Sequence, residues 1–429
     1  MAPSLCEPGF DTLTVALGVV LLGLVLATPV AAAPAGSDGD VQSAVEAYLN
    51  QITPEERARG DAYFEGGYWL QLWGLLLGLA TAGLLITSGL SRWLRDRCER
   101  LTRLRFVQTL LYAAAYFVLS FVLSLPLTVY SGFFREQQYG LMNQTFADWF
   151  TDQLKGLGVG VVLGSVLVAV LYAVGRLVPS RWWLWGAGVT VAFMALVIMI
   201  GPVFLEPLFN TSTSLPEGPL RDRVLALARA NGIPADDVYV IDESKQSKRI
   251  SAHVSGLFGT TRISLNDNLL GRASPEEVEA VMAHEMGHYV LNHVLQSVFA
   301  FGALIVVGFA FVNAAFGWVQ RRWGERFGIR GVTDIAGLPL MVALISLFFF
   351  IATPVTNTII RTQETQADLF GLNAARQPDA FARVTLKLAE YRKLDPSPLE
   401  EWLFFDHPSG RNRIVIAMRW KAANAALDP

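Results

Sequence analysis

The sequence is poor in cysteine and in charged residues. Only Cys6 and Cys98 occur among 429 residues, and they form no CxxC pair, which argues against a disulfide framework and excludes a metal site built from a cysteine cluster. Charged residues make up 17% of the chain and hydrophobic residues 52%, a balance too apolar for an ordinary soluble enzyme. The net charge of −3 gives no indication of a nucleic-acid partner. These shortages favour a membrane protein.

Long uncharged runs are what the sequence has instead, and each is long enough to cross a bilayer of about 30 Å. They occupy residues 12–33, 66–91, 106–134, 156–175, 182–205, 294–320 and 335–360. We therefore expect an all-α multi-span protein with six or seven transmembrane helices, in a cell membrane or an ER-type membrane. The first run is either a cleaved signal peptide or a retained span, because small residues follow it but no Lys or Arg precedes it.

Two polar stretches, 206–293 and 361–429, are large enough to fold outside the bilayer. In the first, the segments DVYVID, RISAHVSG and TTRISLND are rich in β-branched residues and predict short strands. We expect the two stretches to form one small α+β metallopeptidase domain. The predicted division of the chain is 1–33, 34–205, 206–293, 294–360 and 361–429.

The first polar stretch ends in a helix that carries the segment HEMGH. Ser274 and Glu277 have the spacing of a capping box, which predicts that this segment is helical. His284 and His288 then project from one face, one turn apart. In this HExxH pattern the two imidazoles bind zinc and Glu285 serves as the general base.

A catalytic zinc site needs a third protein ligand. The longer metzincin pattern requires a glycine at 291 and a histidine at 294, where this sequence has Leu291 and Val294. His293 lies nine residues beyond His284, about 180° around a continuous helix. We therefore expect His293 to be a polar residue at the membrane edge that does not reach the same ion.

The segment RTQETQADLFGL, after the last uncharged run, offers a better candidate. Glu364 and Asp368 are four residues apart and share a helical face. In one interpretation, Glu364 is a zinc ligand and Asp368 forms a hydrogen bond that holds another ligand side chain in place. In the other, the two residues are a charge pair on a solvated helix. The spacing alone leaves both interpretations open.

These motifs resemble the membrane-embedded CAAX prenyl endopeptidases, zinc proteases that remove the last three residues of prenylated proteins. HEMGHYVLNH is similar to the family's HExGHxxxNH, ETQADLFGL to its ExxADxF segment, and DHPSGRNRI to its HPxxxxR element. The resemblance implies one zinc ion per chain, held by His284, His288 and Glu364. It also implies that His407 and Arg413 stabilise an oxyanion or position the substrate.

The sequence departs from this family just before the HEMGH helix. The family has Asn-Ala-Tyr followed by a glycine on a strand edge against which the substrate backbone lies, whereas this chain has Ser251, Ala252 and His253. We expect the substrate-binding strand to survive. The departure puts the asparagine contact in doubt, and His253 either lines the cleft as a polar substitute or has no role.

The expected function is therefore that of an integral membrane zinc metalloendopeptidase. Its expected partners are the lipid bilayer and a peptide or protein substrate, and the substrates of the family that it resembles are prenylated. One alternative is a quality-control zinc protease of the heat-shock type that acts on unprenylated peptides. The segment 127–156 resembles the polar loop of the prenyl proteases and favours these over the heat-shock type. Another alternative is a membrane protein with a structural zinc, which would need no glutamate beside its ligands.

The orientation in the membrane stays open. Twelve Lys and Arg residues lie in the short loops 91–105, 176–181 and 321–330, and only four lie in the opposite short loops. The positive-inside rule therefore places the zinc domain outside the cytoplasm. The eukaryotic members of the family have the site facing the cytosol.

Overall fold

The computed structural model describes residues 38–256 and 261–425. The first uncharged run, 12–33, lies outside the described residues, so the choice between a signal peptide and a first span stays a prediction. The remaining uncharged runs all fall on helices. The helices before the first strand are α1 Asp38–Leu49, α2 Pro54–Thr87, α3 Leu90–Leu101, α4 Arg105–Val129, α5 Arg135–Gln138, α6 Phe146–Leu177 and α7 Trp182–Ile200.

The second half of the chain combines strands with helices. The strands are β1 Ser212–Ser214, β2 Val238–Ile241, β3 Ala252–Ser255 and β4 Arg262–Asn266. The helices are α8 Pro219–Ala230, α9 Asp267–Arg272, α10 Pro275–Val290, α11 His293–Phe327, α12 Leu338–Ile351, α13 Thr353–Ala375, α14 Pro378–Lys387, α15 Pro398–Phe404 and α16 Gly410–Ala423.

The membrane part consists of helices that are long and apolar enough to cross a bilayer. Five stretches qualify alone, and a bent pair of helices makes a sixth span. They are Pro54–Thr87, Arg105–Gln138, Phe146–Leu177, Pro179–Leu208, His293–Phe327 and the pair Ile335–Ile351 with Thr353–Ala375. Large apolar side chains such as Trp73, Val162 and Phe299 are exposed on their surfaces, as contact with lipid requires. The expected multi-span architecture is confirmed.

The last span is bent by 55° between α12 and α13. The break falls at Ala352, and Pro354 lies in the first turn of α13. Proline has no backbone N–H and its ring clashes with the preceding turn, so a helix bends or restarts where proline occurs. Beyond the bend, α13 packs against α10.

The four strands form one sheet in the order β1-β2-β4-β3. β2 and β4 are parallel, whereas β1 pairs with β2 and β3 pairs with β4 in antiparallel fashion. The three predicted strand segments correspond to β2, β3 and β4, and the short β1 is additional. β3 is an edge strand whose second side has no strand partner within the described chain.

Two apolar cores hold the part outside the bilayer together. The first joins α8, the sheet and α10, with Val224, Ile263 and Met282 fully buried at its centre. The second joins α1, α14 and α16 through buried residues that include Val45 and Phe381. Helix α1, from the start of the described chain, therefore packs with the C-terminal helices.

Candidate active site

Helix α10 places two histidine rings side by side. It begins at the predicted capping box, in which the Ser274 side chain accepts a hydrogen bond from the Glu277 backbone N–H. One turn separates His284 from His288, and their Nε2 atoms lie 3.2 Å apart. Burial lowers the pKa of His288 to about 4, and repulsion by His284 acts in the same direction. The His288 ring is therefore neutral at pH 7, which is the form that binds a metal.

Glu364 on α13 completes a three-residue cluster. Its Oε2 lies 3.3 Å from His284 Nε2, and its Oε1 lies 3.4 Å from His288 Nε2. All three ligand atoms lie within 4.8 Å of one another. Glu364 Oε2 is buried and has no hydrogen-bond partner within the described residues. Two imidazoles and a carboxylate with an unsatisfied oxygen fit a divalent metal ion.

Two glycines allow α10 and α13 to cross closely enough for this cluster. A Cβ atom added at Gly287 would lie 3.1 Å from Ala367 Cα, and one added at Gly371 would lie 2.9 Å from the His284 backbone nitrogen. Real Cβ atoms essentially never come within 2.9 Å of another atom, and a contact of 3.1 Å would require Ala367 to shift. The glycine within HEMGH therefore has a packing reason, which is the approach of α13.

Asp368 and Arg413 support His284 from the side opposite Glu364. Asp368 is fully buried and its Oδ1 lies 2.7 Å from His284 Nδ1. The Arg413 guanidinium donates to both Asp368 oxygens, with Nε at 2.9 Å from Oδ2. A carboxylate at the second ring nitrogen fixes the tautomer that presents Nε2 to a metal. Arg413 thus binds the carboxylate that contacts His284, and its Nη2 also lies 3.5 Å from His284 Nδ1.

Glu285 lines the same cleft as the cluster. No hydrogen bond or ion pair to its carboxylate occurs within the described chain. Burial raises the pKa of Glu285 to about 7. A carboxyl group with a pKa near neutral can both accept and release a proton at physiological pH.

His407 reaches the cluster from the loop before α16. Its Nε2 lies 3.4 Å from Glu364 Oε2, and its Nδ1 lies 2.8 Å from Asp406 Oδ1. The side chain also lines the cleft. The structure thus brings His407 and Arg413 to the histidine pair, at different sides of it.

His293 has a contact that the sequence analysis missed. Its Nδ1 lies 2.9 Å from His288 Nδ1, and its Nε2 lies 3.1 Å from Gln366 Oε1. The expectation of a half-turn separation assumed one continuous helix, but α10 ends at Val290 and Asn292 adopts a left-handed conformation with φ of 55°. The chain turns there and brings the buried His293 side chain to the Nδ1 side of the His288 ring, away from Glu364.

The edge strand β3 borders the cleft on the side of the sheet. Ser251 and Ala252 are among the lining residues. The next residue, His253, is not among them, and its Nε2 lies 3.7 Å from Glu206 Oε2. Of the three expected substrate-binding residues, two therefore face the cleft and His253 faces Glu206.

Comparison with known proteins agrees with this architecture. The sequence matches the profile of peptidase family M48 over residues 214–421 and that of the "CAAX prenyl protease N-terminal, five membrane helices" over 41–211. A CAAX prenyl protease 1 homolog of Arabidopsis thaliana is 31% identical over 70% of this chain and 71% of its own length. The uncharacterized metalloprotease YhfN of Bacillus subtilis is 29% identical over 88% of this chain and 89% of its own.

A crystal structure has the same fold. S. mikatae Ste24p superposes with a TM-score of 0.71 at 22% identity, covering 96% of this chain and 100% of the other. The sequence matches extend across both the membrane helices and the region that contains His284, His288 and Glu364. The chain therefore belongs to peptidase family M48, as a multi-pass membrane metalloprotease of the CAAX prenyl protease type.

Proposed function

We propose that the chain is a zinc endopeptidase that holds one zinc ion on His284, His288 and Glu364 and uses Glu285 as its general base. The observation that carries the proposal is the convergence of three ligand atoms beside an unpaired carboxylate in a buried cleft. A set of two histidines and one glutamate, with a fourth position left open, is typical of catalytic zinc sites. Bound zinc lowers the pKa of water and polarises a carbonyl group.

Glu285 carries the proton through the reaction. It accepts a proton from the water that attacks the scissile carbonyl carbon, and a C–O bond forms. When the C–N bond breaks, Glu285 delivers the proton to the leaving nitrogen, so the products are a carboxylate and an amine. Burial, which raises the pKa of Glu285, favours both transfers.

His407 and Arg413 have different roles in this scheme. We assign to His407 a hydrogen bond to the carbonyl oxygen as negative charge develops on it. Because its Nδ1 is held by Asp406, donation from Nε2 requires the imidazolium form. Arg413 is already bound to Asp368 and acts as a positioning residue for His284.

The substrate backbone adds to the free edge of β3. An extended peptide can pair with an exposed strand edge through main-chain hydrogen bonds, while pockets select alternate side chains. Ser251 and Ala252 border the cleft at this edge, so we assign substrate contact to these two residues. The orientation of His253 toward Glu206 speaks against such a contact for His253.

The substrate is the C-terminal segment of a prenylated protein, as the names of the CAAX prenyl protease relatives suggest. A second cavity of about 470 Å³ lies among the membrane spans, with apolar lining residues such as Leu77, Phe121 and Val342. Ser120, Ser124 and Ser131 also line it. This mixed lining would also accept an unprenylated apolar peptide, so cleavage of such peptides is the second candidate function.

The zinc ligands are tested by metal content. Purified wild-type protein should contain one zinc per chain by atomic emission, and Glu364→Gln should contain almost none, because the buried carboxylate supplies one of three ligand atoms. The matched control is Glu279→Gln, which changes a carboxylate on α10 outside the cleft and should leave the zinc content at one. Undiminished zinc in the Glu364 variant would mean that the third ligand lies elsewhere.

The substrate class is tested with two peptides that differ only in a farnesyl group on one cysteine. Faster cleavage of the prenylated peptide supports the prenyl protease function, and equal rates support the second candidate. If zinc-loaded protein cleaves neither peptide in micelles or in proteoliposomes, the endopeptidase proposal is wrong. Zinc-loaded Glu285→Gln protein serves as the blank for contaminating proteases.

A further inference from the structure

The catalytic cleft contains an arginine without an acidic partner. The cleft has a volume of about 560 Å³, and three arginines line it, namely Arg249, Arg392 and Arg413. The first and third are engaged. Arg249 Nη2 lies 2.8 Å from Glu136 Oε2, and Arg413 binds Asp368. Only Arg392 remains to be accounted for among these three.

Arg392 makes no side-chain hydrogen bond or ion pair to any of the described residues. Its electrostatic neighbours are Asp406, Arg413 and Glu364, which places the guanidinium beside the metal cluster. The Asp406 carboxylate already accepts from His407 Nδ1. The guanidinium thus faces a cleft in which its own chain offers it no direct anion.

This arrangement is costly in the absence of a ligand. Burial withdraws water from the guanidinium and lowers the pKa of Arg392. A partly buried cation without a partner loses hydration that only an anion or several acceptors can replace. The planar fork of arginine N–H groups matches a carboxylate in bidentate fashion. The Arg392 guanidinium is therefore able to bind the carboxylate of a ligand that enters the cleft.

We propose that Arg392 binds the α-carboxylate at the C-terminus of the substrate, so that the enzyme cuts at a short distance from the chain end. The inference rests on the proposed endopeptidase function and specifies its substrate. Every linear peptide substrate brings one such carboxylate. An extended peptide advances about 3.3–3.6 Å per residue, so a carboxylate held in the same cleft as the metal cluster leaves room for only a few residues.

The chemistry of the cut is unchanged by this contact. Water adds to the scissile carbonyl carbon, the C–N bond breaks, and the leaving nitrogen takes a proton. The released C-terminal fragment keeps its original α-carboxylate and gains an amino group. Arg392 binds the C-terminal end of the leaving fragment. The position of Arg392 therefore sets the number of residues between the scissile bond and the terminus.

The experiment compares three forms of one apolar peptide, ending in a free carboxylate, in a C-terminal amide, or in a ten-residue extension. Wild-type protein should cleave the free acid with a kcat/KM roughly tenfold or more above that of the amide, since a hydrogen bond to a charged group carries about that much. Mass spectrometry should place the cut within a few residues of the free terminus.

The variants Arg392→Met and Arg392→Lys identify the residue. The methionine variant should cleave acid and amide at equal rates, close to the wild-type rate for the amide, and lysine should restore part of the preference. Arg249→Met is the matched control, because that arginine lines the cleft but is already paired with Glu136. It should retain the ratio of acid to amide rates. Zinc content and melting temperature exclude variants that fail to fold.

Two results would overturn the inference while leaving the protease function intact. Wild-type protein that cleaves acid, amide and extended peptide equally well has no carboxylate subsite. A preference that survives in Arg392→Met but is lost in Arg249→Met assigns the contact to Arg249. Failure of the proposed function itself looks different, because zinc-loaded wild-type protein would then cleave none of the three peptides.

Discussion

Two buried carboxylates at opposite ends of the α11–α12 pair are treated differently by the fold. Asp334, in the loop before α12, has both oxygens occupied. Its Oδ2 accepts from Arg95 Nη1 at 2.7 Å and from the Arg330 backbone N–H at 2.8 Å, and its Oδ1 accepts from the Ala336 backbone N–H at 3.1 Å. Glu364, beyond the other end of the pair, keeps a buried oxygen without a hydrogen-bond partner.

The difference separates a carboxylate that holds the fold from one that serves a ligand. A fully satisfied buried network rigidifies its surroundings, whereas an unsatisfied buried oxygen costs free energy unless something binds it. Glu285 resembles Glu364 in that its carboxylate lines the cleft without a hydrogen-bond partner among the described residues, and Asp368 resembles Asp334. The two carboxylates that we assign to the metal and the proton are thus less fully hydrogen-bonded than the two that hold other side chains in place.

The largest effect is expected for Glu285, the carboxylate that we assign to proton transfer. Glu285→Gln should lower kcat by about 10²- to 10⁴-fold and leave the zinc content at one per chain, because Glu285 is not among the ligand atoms. A fluorogenic peptide assay with metal analysis measures both. Near wild-type activity in this variant would place the base elsewhere, and lost zinc would make Glu285 a determinant of metal binding.

Asp334 should show the opposite pattern. Asp334→Asn leaves the buried Arg95 guanidinium without its main partner and should lower the free energy of unfolding by about 3–5 kcal/mol, with zinc affinity unchanged. Asp96→Asn is the matched control, since this half-exposed partner of Arg95 should contribute about 1 kcal/mol or less. Denaturant unfolding in micelles compares the two. Weaker zinc binding in Asp334→Asn would show that Asp334 affects metal binding as well as stability, against the distinction drawn here.

Asp368 holds His284 in place and should affect zinc affinity moderately. Asp368→Asn removes the charge that holds His284 Nδ1, and outer partners of metal ligands typically contribute about 10- to 100-fold in affinity. Competition with a fluorescent zinc chelator gives the affinity. The exposed pair of Asp379 with Lys421 supplies the control, because Asp379→Asn should leave the affinity unaltered. An unchanged affinity in the Asp368 variant would reduce its role to packing.

His293 should have the smallest effect of the four. If His288 binds metal through Nε2, its Nδ1–H donates to His293 Nδ1, and His293 Nε2–H donates to Gln366. His293→Ala should therefore weaken zinc binding by about tenfold, at the low end for such partners. Gln296→Ala, one turn further on the exposed face of α11, is the control. Equal zinc affinities for the two variants would show that His293 does not contribute to zinc binding.

The fold and the metal cluster were largely predictable because their signals are local. The capping box at Ser274 fixes the phase of α10, so the positions of His284 and His288 follow from 3.6-residue periodicity. Uncharged runs identify spans through composition alone. Glu364 needed the family resemblance, since its spacing to Asp368 was compatible with a solvated helix.

The rest depends on chain direction and on distant contacts. His293 was misplaced because a helix count carries no information about where the helix ends, and the left-handed Asn292 ends it. The bend at Ala352 was missed because the composition of 335–360 is uniformly apolar. Arg392 belongs to no motif, and its lack of a partner becomes visible only once Arg249 and Arg413 are seen to have theirs.

The bend between α12 and α13 joins the helix that carries Glu364 directly to the last membrane span. Glu364 lies eleven residues beyond Thr353, about 16 Å along the axis of α13, so the helix acts as a lever arm anchored in the last span. A tilt of about 4° at the base moves the carboxylate by about 1 Å, a large error for a metal ligand. Because spans tilt to match hydrocarbon thickness, we expect zinc affinity to change when the protein is moved between bilayers of different thickness.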